Sequence, residues 1–567
     1  MIKFNPQEYK QLAALFKQYN NHDFNSNICS WIMWDHVYEL YMEMHENYTL
    51  LLIHMHDTWE WLTPLCDEQS RHEAMDAMQR YSYEHHFPFV LCEVLDDFKR
   101  WCQQEHYPFV YQRERERDDY VYDIAQHRDL TGKKMQKRRN HYNAFIKENG
   151  SDYSFESLAP AQFNELYDFL DTWKNNHSHI QDIENELIGI RRMLADFDRL
   201  PLLGGILRIH GQIEGFILAS PIDEELIQIH VEKVNHEYRG LSVAILKCFL
   251  ETLPASYAKM DREDDLGLPE LRKAKLDMHP IYRIKRFRIL PGKVEIVPAN
   301  EPLLTQIKNL WLNSFPDENP LTAAFYFDKL YDPKQTQCLL HDDQLVCMLH
   351  LRDMELMMDG KSMAAKLILG IATDPEYQEC GYMRQLLSHV LDTFTQTPLL
   401  IQAYDWELYK PFGFETSYKR RKTILRKAAY EGLEKHCDCC EDAAALLSLY
   451  NEYVLDKNGY RIRDLSYYQD YLIPYAKCSG RILIHRTQDE IDGYLIYDEN
   501  DGQLIVNELI CRSQKTANAM MCCICDSDKE IIVYHVDDEI VGDTIEEPSM
   551  MSLHLPIHEN NFISESL

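Results

Sequence analysis

Two stretches of the chain, residues 230–244 (HVEKVNHEYRGLSVA) and residues 369–383 (LGIATDPEYQECGYM), follow the same pattern. In each, a β-like run continues through a Glu-Tyr pair into a glycine-containing turn and a helix-like segment. The two Glu-Tyr pairs lie 139 residues apart, which is the length of one domain. The pattern therefore indicates a duplicated unit in which a strand enters a helix through a tight turn.

A second recurring feature, a β-like run followed by an amphipathic helix, begins near Ile2, Tyr153, Val294 and His436. The apolar helix positions are Leu12, Leu15, Phe16 and Tyr19; Leu166, Phe169, Leu170 and Trp173; Ile307, Leu310 and Trp311; and Leu446, Leu449, Tyr450 and Tyr453. We predict four lobes in two tandem pairs, at residues 1–150, 151–292, 293–432 and 433–567, with the first and last degenerate. Helix and sheet are interrupted at Pro291-Gly292, where the pairs join.

In the last three lobes the helix precedes two strands joined by a polar turn, and a further strand and helix follow. The turns are His210-Gly211-Gln212, His341-Asp342-Asp343 and Thr487-Gln488-Asp489. A hairpin followed by a strand-helix crossover predicts an α/β fold with a mixed, largely antiparallel sheet flanked by helices.

Composition and charge exclude several classes of protein. The 567 residues are 45% hydrophobic and 27% charged, which is typical of a globular chain. Acidic residues (92) exceed Lys and Arg (59), and the net charge of −33 disfavours non-specific attraction to phosphates or anionic membranes. Apolar runs are too short to span a bilayer, and the N-terminus resembles no export signal. We expect a cytoplasmic protein without stable membrane insertion, whose sixteen cysteines are thiols.

The glycine-containing turns are candidate anion sites. A small residue lets a ligand approach the backbone, and a helix N-terminus offers N–H groups and a positive dipole to phosphate. The candidate residues are Gln378, Glu379, Cys380, Gly381, Tyr382 and Met383 in the third lobe, with Arg239 and Gly240 in the second. The alternative is a turn that needs glycine for its geometry alone.

In the third lobe, the segment Tyr409-Lys410-Pro411-Phe412-Gly413-Phe414 follows one further strand, at residues 398–403. With the turn, it makes residues 294–430 resemble the GNAT N-acetyltransferases, and most of all their enhanced intracellular survival branch. Gln378 and Gly381 match the pyrophosphate turn of that family, whereas Met383 replaces a small residue. The resemblance implies acetyl-CoA as the donor, Ile371, Ala372 and Thr373 as contacts of its pantetheine arm and thioester, and Tyr409 as the acid. It assigns no general base.

The N-terminal half carries two basic elements that stand out from the acidic whole. One is a predicted basic helix, GKKMQKRRNHYNAF at residues 132–145, and the other is the cluster DREDDLGLPELRKAK at residues 261–275. With the turn at Gly240, they make residues 1–290 resemble the C-terminal domain of phosphatidylglycerol lysyltransferases. That family implies aminoacyl transfer from charged tRNA. The resemblance gives as substrate and phosphate candidates Lys133, Arg138, Arg139, His141, Glu232, Arg239, Gly240, Arg262, Asp264, Arg272 and Lys275. The alternative is a solvated helix face with internal ion pairs.

Two C-x-x-C pairs, Cys437/Cys440 and Cys522/Cys525, are spaced for zinc or redox chemistry, but 81 residues separate them. We therefore predict no metal. The second pair lies in a helix-like run, where cysteine serves as a small apolar residue. The sequence contains no dinucleotide, P-loop, zincin or serine-hydrolase motif.

The sequence thus predicts an acyltransferase. The third lobe is expected to transfer an acetyl group from acetyl-CoA to a primary amine of a small molecule or peptide, beside an aminoacyltransferase-like N-terminal module. Two alternatives stay open. One is an aminoacyl-tRNA-dependent transferase acting on a lipid or small-molecule acceptor, and the other is a non-catalytic scaffold that binds CoA or a nucleotide. The sequence does not fix the acceptor or the oligomeric state.

Overall fold

The computed structural model describes the chain except residues 6–8, 20–21, 56, 151, 177–182, 431–436, 440–441, 489, 500–501 and 565–567. The positions Asp489, His436 and Cys440 of the sequence analysis therefore lie outside the described residues. The chain divides into two compact units, Met1–Lys293 and Val294–Leu567. The division falls directly after Pro291-Gly292.

The first unit contains helices and strands in alternation. Its helices are α1 (Lys10–Gln18), α2 (Ile28–Trp34), α3 (Arg71–Glu84), α4 (Asp96–Gln104), α5 (Ile124–Asp129), α6 (Gln136–Asn149), α7 (Phe163–Asn176), α8 (Ile183–Ala195), α9 (Leu241–Thr252) and α10 (Pro269–Leu276). Its strands are β1 (Ile2–Lys3), β2 (Glu39–Met44), β3 (Tyr48–Met55), β4 (Thr58–Trp61), β5 (Leu65–Cys66), β6 (Leu91–Val94), β7 (Phe109–Arg113), β8 (Asp119–Asp123), β9 (Tyr153–Ser157), β10 (Leu203–Ile209), β11 (Gln212–Pro221), β12 (Leu226–Val234), β13 (Lys259–Asp261), β14 (Tyr282–Ile284) and β15 (Phe287–Pro291).

These strands form two mixed sheets. The first has the order β1-β2-β3-β4-β6-β15-β7, with β5 also paired to β3, and the second has the order β14-β8-β13-β12-β11-β10-β9. Neighbours are antiparallel except at β4–β6 and β12–β13. The apolar stripe of α7 is buried through Leu166, Leu170 and Trp173, as its spacing predicts.

The two sheets of the first unit exchange strands. The strand β15, near the end of the unit, lies between β6 and β7 of the first sheet. Conversely, β8 lies between β13 and β14 of the second sheet. Each of the two sheets therefore contains strands from both sides of residue 150. The division of each unit into two lobes stays a prediction.

The second unit repeats the alternation. Its helices are α11 (Leu304–Ser314), α12 (Pro320–Phe325), α13 (Tyr382–Thr393), α14 (Ala443–Tyr453), α15 (Ile473–Ser479) and α16 (Gln514–Ile524), with π-helical turns at Tyr326–Leu330 and Tyr467–Leu472. Its strands are β16 (Val294–Pro298), β17 (Thr336–His341), β18 (Gln344–Met358), β19 (Lys361–Thr373), β20 (Leu399–Ile401), β21 (Glu415–Leu425), β22 (Cys437–Cys439), β23 (Tyr460–Arg461), β24 (Gly480–Thr487), β25 (Glu490–Glu499), β26 (Gln503–Cys511), β27 (Glu530–His535) and β28 (Gly542–Leu553).

A single sheet runs through the second unit in the order β16-β17-β18-β19-β20-β28-β21-β27-β26-β25-β24-β22, with β23 also paired to β18. The last strand, β28, again lies between two earlier strands, β20 and β21. The neighbours β19–β20 and β26–β27 are parallel. The prediction of a mixed, largely antiparallel α/β fold is confirmed.

Two cysteines depart from the expectation that all are thiols. Cys437 on β22 and Cys523 on α16 form a disulfide, with their Cα atoms 6.3 Å apart. The strand β22 pairs with β24, against which α16 packs, so the sheet brings together residues 86 positions apart. The bond joins neither predicted C-x-x-C pair, since Cys522 and Cys525 remain thiols.

The described residues contain no helix for a membrane crossing and no cluster for a metal ion. None of their helices combines the length and the apolar composition that a bilayer crossing requires. Outside the undescribed gaps, His, Cys, Asp and Glu side chains form no group of three or more placed to hold a metal ion.

One buried cation connects the exchanged strands of the first unit. Arg286, just before β15, is fully buried, and its guanidinium lies 2.5 Å from the carboxylate of Asp23 and 2.6 Å from that of Asp119. Glu93 on β6 approaches it at 3.5 Å. Burial raises the pKa of Glu93 to about 7 and that of Asp119 well above its ordinary value, against the opposing charge of Arg286. Arg286 therefore neutralises carboxylates from both sheets.

We expect Arg286→Met to destabilise the first unit by about 3–5 kcal/mol, because it leaves buried carboxylates without their cation. Hydrogen exchange measured by mass spectrometry would show faster exchange in β8 and β15, with the second unit as internal reference. The matched control is Arg283→Met, which removes a partly exposed partner of Asp118 and should have a smaller effect. Equal exchange in Arg286→Met and the unaltered protein would contradict this role.

Candidate functional site

In the second unit, a bulge interrupts the pairing of β19 with β18. Met348 pairs with Ala372 and His350 with Leu369, so one residue of β18 faces both Gly370 and Ile371. Gly370 has φ +59° and lies against the Trp311 ring, where a Cβ would not fit. On its other side β19 pairs with β20 only at residues 366–368. Residues 369–373 therefore diverge from β20, and the predicted contacts Ile371, Ala372 and Thr373 lie along this opening.

The turn after β19 leads into α13. Gly381 is the N-cap of α13 with φ 91°, and Glu379 is also left-handed at φ 61°. Gln378 Nε2 donates to the carbonyl of Thr373 at 3.3 Å, which ties the turn to the strand end. Gln378, Glu379 and Gly381 are exposed, whereas Cys380 and Tyr382 are buried and Met383 is half-buried. The turn thus presents backbone and two polar side chains at a helix N-terminus, where an anion is favoured.

Tyr409 lies in the 3₁₀ turns that follow β20 and is half-buried. Burial raises the pKa of its phenol above the ordinary value, and the carboxylate of Asp405 and the Cys347 thiol reinforce the shift. The ring packs edge-on against Phe414 at a centroid distance of 6.3 Å. The phenol is therefore protonated at neutral pH and can act as an acid.

His350 is a buried residue that the sequence analysis did not single out. Its Nδ1 lies 3.0 Å from the Tyr326 hydroxyl and 3.1 Å from Thr336 Oγ1, while Nε2 has no partner among the described residues. Burial lowers its pKa to about 3, so the ring is neutral. It packs beside Trp311, opposite Gly370. A lone histidine in an apolar strand carries no sequence signal that separates it from a core residue.

In the first unit, part of the predicted cluster comes together around Glu232. Its carboxylate lies 2.9 Å from the Arg262 guanidinium and accepts a 2.5 Å hydrogen bond from Ser242 Oγ. Burial lowers the pKa of Arg138 to about 10, with the Arg262 charge adding to the effect and Glu232 opposing it. Arg138 Nε is buried without a hydrogen-bond partner among the described residues. Two cations thus share one carboxylate, which leaves excess positive charge.

The glycine turn before α9 packs against the backbone of α6. Gly240 has φ +81° and caps α9. A Cβ there would overlap the carbonyl oxygen of His141 and lie 2.8 Å from its carbonyl carbon. The backbone of α6 therefore lies directly against Gly240, and the role of this turn as an anion site stays a prediction.

The other candidates of this half lie apart or have structural partners. Lys133 and Arg239 are exposed, and Arg139 donates to the carbonyls of Leu130 and Gly132. Asp264 pairs with Arg117, Arg272 holds Asp265 through two hydrogen bonds, and Lys275 donates to the carbonyls of Arg262 and Glu263. Lys133 and Lys134 precede α6, whereas the sequence placed them on the helix. The functional roles of these residues stay predictions.

Comparison with known families matches the two halves separately. Residues 16–290 match the family model of the phosphatidylglycerol lysyltransferase C-terminal domain, and residues 295–417 match that of the GNAT acetyltransferase domain. The chain therefore carries two acyltransferase-type domains, as the resemblances predict.

Individual relatives are distant. An uncharacterized protein of Mycoplasmoides gallisepticum is 28% identical over 171 residues, which is 30% of this chain and 55% of the relative, so about half of that protein is matched. A solved conserved protein of unknown function from Bacteroides thetaiotaomicron is 23% identical over 51% of this chain and 98% of its own, with a TM-score of 0.49. Eis1 from Mycobacterium abscessus is 12% identical over 46% and 72%, with a TM-score of 0.33.

We expect Gly240→Ala to destabilise the contact of α6 with α9, because the new Cβ meets the His141 backbone in addition to straining φ. The matched control is Gly211→Ala, which has φ +83° and open space around the new Cβ. The control should lose only the strain of about 1–2 kcal/mol. Denaturant unfolding would measure both, and equal losses would show that α6 does not close the turn.

Proposed function

We propose that the GNAT-type domain at residues 295–417 acetylates a primary amine of a small molecule or peptide with acetyl-CoA. The observation that carries the proposal is a strand that diverges at its end and leads into an exposed helix N-terminus, with a protonated phenol in the turns after the neighbouring strand β20. These elements are the diverging end of β19, the exposed Gly381 turn and the protonated phenol of Tyr409. GNAT domains in general take an acyl-CoA donor.

Each element has a separate task in the reaction. Backbone at the Gly381 turn and the N-terminus of α13 would hold the pyrophosphate. Backbone groups at residues 371–373 would bind the pantetheine amides, and an N–H at the bulge would stabilise the oxyanion. The amine nitrogen attacks the thioester carbonyl, a C–N bond forms and the C–S bond breaks. Tyr409 donates its proton to the departing thiolate, and the nitrogen releases one proton to water.

For residues 16–290 we propose aminoacyl transfer from charged tRNA to an amine or hydroxyl acceptor. The supporting observation is that the His141 backbone lies against the Gly240 turn, whereas the corresponding turn of the GNAT-type domain is exposed at Gly381. The positive excess of Arg138 and Arg262 around Glu232 fits a phosphate-bearing donor.

We expect Tyr409→Phe to lower acetyl transfer about 10²- to 10⁴-fold while the affinity for CoA is unchanged, because only the proton donor is lost. The assay is CoA thiol release with a panel of polyamines, aminoglycosides and lysine peptides. Tyr404→Phe, at a fully exposed side chain, is the matched control. At alkaline pH the rate should fall only above pH 10, because the pKa of Tyr409 is raised above its ordinary value of 10.

Calorimetric titration separates this enzyme from a binding scaffold. We expect one equivalent of CoA per chain, lost in Gly381→Trp and unaffected by Arg239→Glu. Binding without turnover for any amine, in the unaltered protein, would favour the scaffold. No binding at all would overturn the acetyltransferase proposal.

For the first unit, we expect Lys133→Glu with Lys134→Glu to weaken tRNA binding, because two cations near the phosphate backbone are reversed. The slope of log affinity against log salt should fall by about one for each phosphate that the variant no longer neutralises. Both side chains are exposed, so folding should be unaffected. Lys17→Glu on α1 is the matched control, since it removes an exposed cation elsewhere in the same unit. An equal effect of the control would indicate net charge alone.

A further inference from the structure

One disulfide lies among thiols in the second unit and takes no part in the proposed reactions. Cys437 on β22 and Cys523 on α16 are bonded, whereas the thirteen other cysteines of the described chain are free thiols. A protein that relies on disulfides for its fold pairs most of its cysteines. A single bond among many thiols is instead typical of a bond that forms and opens with the redox state of its surroundings.

The bond lies at the edge of the sheet. The strand β22 is three residues long, and it pairs with β24 at the end of the strand order. The helix α16 packs against β24, so the disulfide connects the edge strand to the helix that covers its neighbour. Three residue pairs hold an edge strand weakly, since each hydrogen bond replaces one to water. The covalent bond therefore does much to keep β22 in place.

Small molecules can reach the face of β22 that carries the bond. Cys437 and Cys523 are both half-buried. Cys439 lies two positions along the strand from Cys437, so its side chain points to the same face. Cys439 is an exposed thiol. The solvent that reaches Cys439 therefore has access to the strand face on which the disulfide lies.

The neighbouring thiols of the helix segment are enclosed. Cys522 is 0% exposed and Cys525 is 6% exposed, and both pack in the core between α16 and the sheet. Cys525 Sγ donates to the Cys522 carbonyl at 3.0 Å. Neither sulfur can replace that of Cys523 as a bonding partner while this segment stays folded. The predicted pair Cys522/Cys525 is therefore not the reactive pair.

The surroundings determine which sulfur a small thiol attacks. Cys523 belongs to α16, where Met520, Met521 and Cys522 are fully buried. A group added to Cys523 would have to displace this close-packed core. Cys437 lies on the edge strand, beyond which the described chain adds no further strand to the sheet. Attack at Cys437 therefore keeps the added group outside the core and lets the Cys523 thiol settle beside Cys522.

We propose that the Cys437–Cys523 bond is a thiol–disulfide exchange site for low-molecular-weight thiols. A thiolate attacks Cys437 Sγ, a new S–S bond forms, the bond to Cys523 breaks, and Cys523 Sγ takes a proton from water. A second thiolate then attacks the sulfur of the bound small molecule and releases Cys437 as a thiol. Two small thiols are oxidised to one disulfide, and the protein bond is reduced to two thiols. The site does not depend on the proposed acyl transfers.

The state of the bond fixes or releases one connection of the chain. Residues 426–442 lead from β21 to α14, and β22 is the strand within them. The bond joins residues 86 positions apart, so the closed form restricts the unfolded chain strongly. When the bond is open, β22 separates from β24 more readily and uncovers the edge of that strand.

The test of exchange is titration of the full chain with reduced glutathione and, separately, with free CoA, without denaturant. Thiols are then blocked with iodoacetamide and the peptides are analysed by mass spectrometry. We expect millimolar thiol to open the bond through a mixed disulfide on Cys437, and oxidised glutathione to restore it. The arm that reacts at the lower concentration identifies the preferred thiol. A bond that opens only after denaturation, or an adduct confined to Cys439, would overturn the proposal.

Hydrogen exchange measures the effect on the sheet. We expect reduction to speed exchange in β22 and β24 about 10- to 100-fold, because local opening is no longer restrained by the bond, with the first unit as internal reference. Cys437→Ser should exchange like the reduced protein in either buffer. Cys439→Ser, which removes an exposed cysteine of the same strand, is the matched control and should keep the redox difference. A difference that persists in Cys437→Ser, or none in the unaltered protein, would contradict the proposal.

Discussion

The exchange of strands between neighbouring sheets depends on burying a positive charge where the strands cross. In the first unit, the guanidinium of Arg286 meets carboxylates from the segment before α2, from β6 and from β8. Burying such charges costs free energy unless each is paired with a counter-ion. Removal of one partner therefore leaves an uncompensated charge in the core. The contact joins the residue before β15 to β8, which pairs with β13, the strand directly before Arg262.

A second structural arrangement occurs three times in the molecule. In it, two parallel strands pair for three or four residues and then diverge at a bulge. It occurs at β12/β13, at β19/β20 and at β26/β27, with the bulges at His230, at Gly370-Ile371 and at Asn507. The three openings differ in the turn that leads from the strand into the helix. One turn lies against the backbone of α6, one is exposed at a helix N-terminus, and one consists of two residues. The three openings therefore differ in the backbone that borders them.

Much of the fold was predictable from local patterns. The apolar faces of α1, α7, α11 and α14, the hairpin turns and the two glycine turns follow from periodicity and turn chemistry, and the structure confirms these elements. Strand exchange was not predictable, because β8 and β15 have the same period-2 pattern whichever sheet receives them. The closure of Gly240 by His141, the Cys437–Cys523 bond and the burial of His350 also depend on contacts between distant residues. A single sequence does not show which distant residues come into contact.

The interleaved sheets also bear on how such a chain could arise by recombination. A cut near residue 150 would take β15 away from β6 and β7, and β8 away from β13 and β14. Both fragments would then present unpaired strand edges, which promote association with other chains. A cut after Pro291-Gly292 separates no paired strands, because each sheet of the described chain lies wholly on one side of it. The module that can recombine with its sheets intact is therefore each compact unit, and shuffling between proteins is expected at this joint.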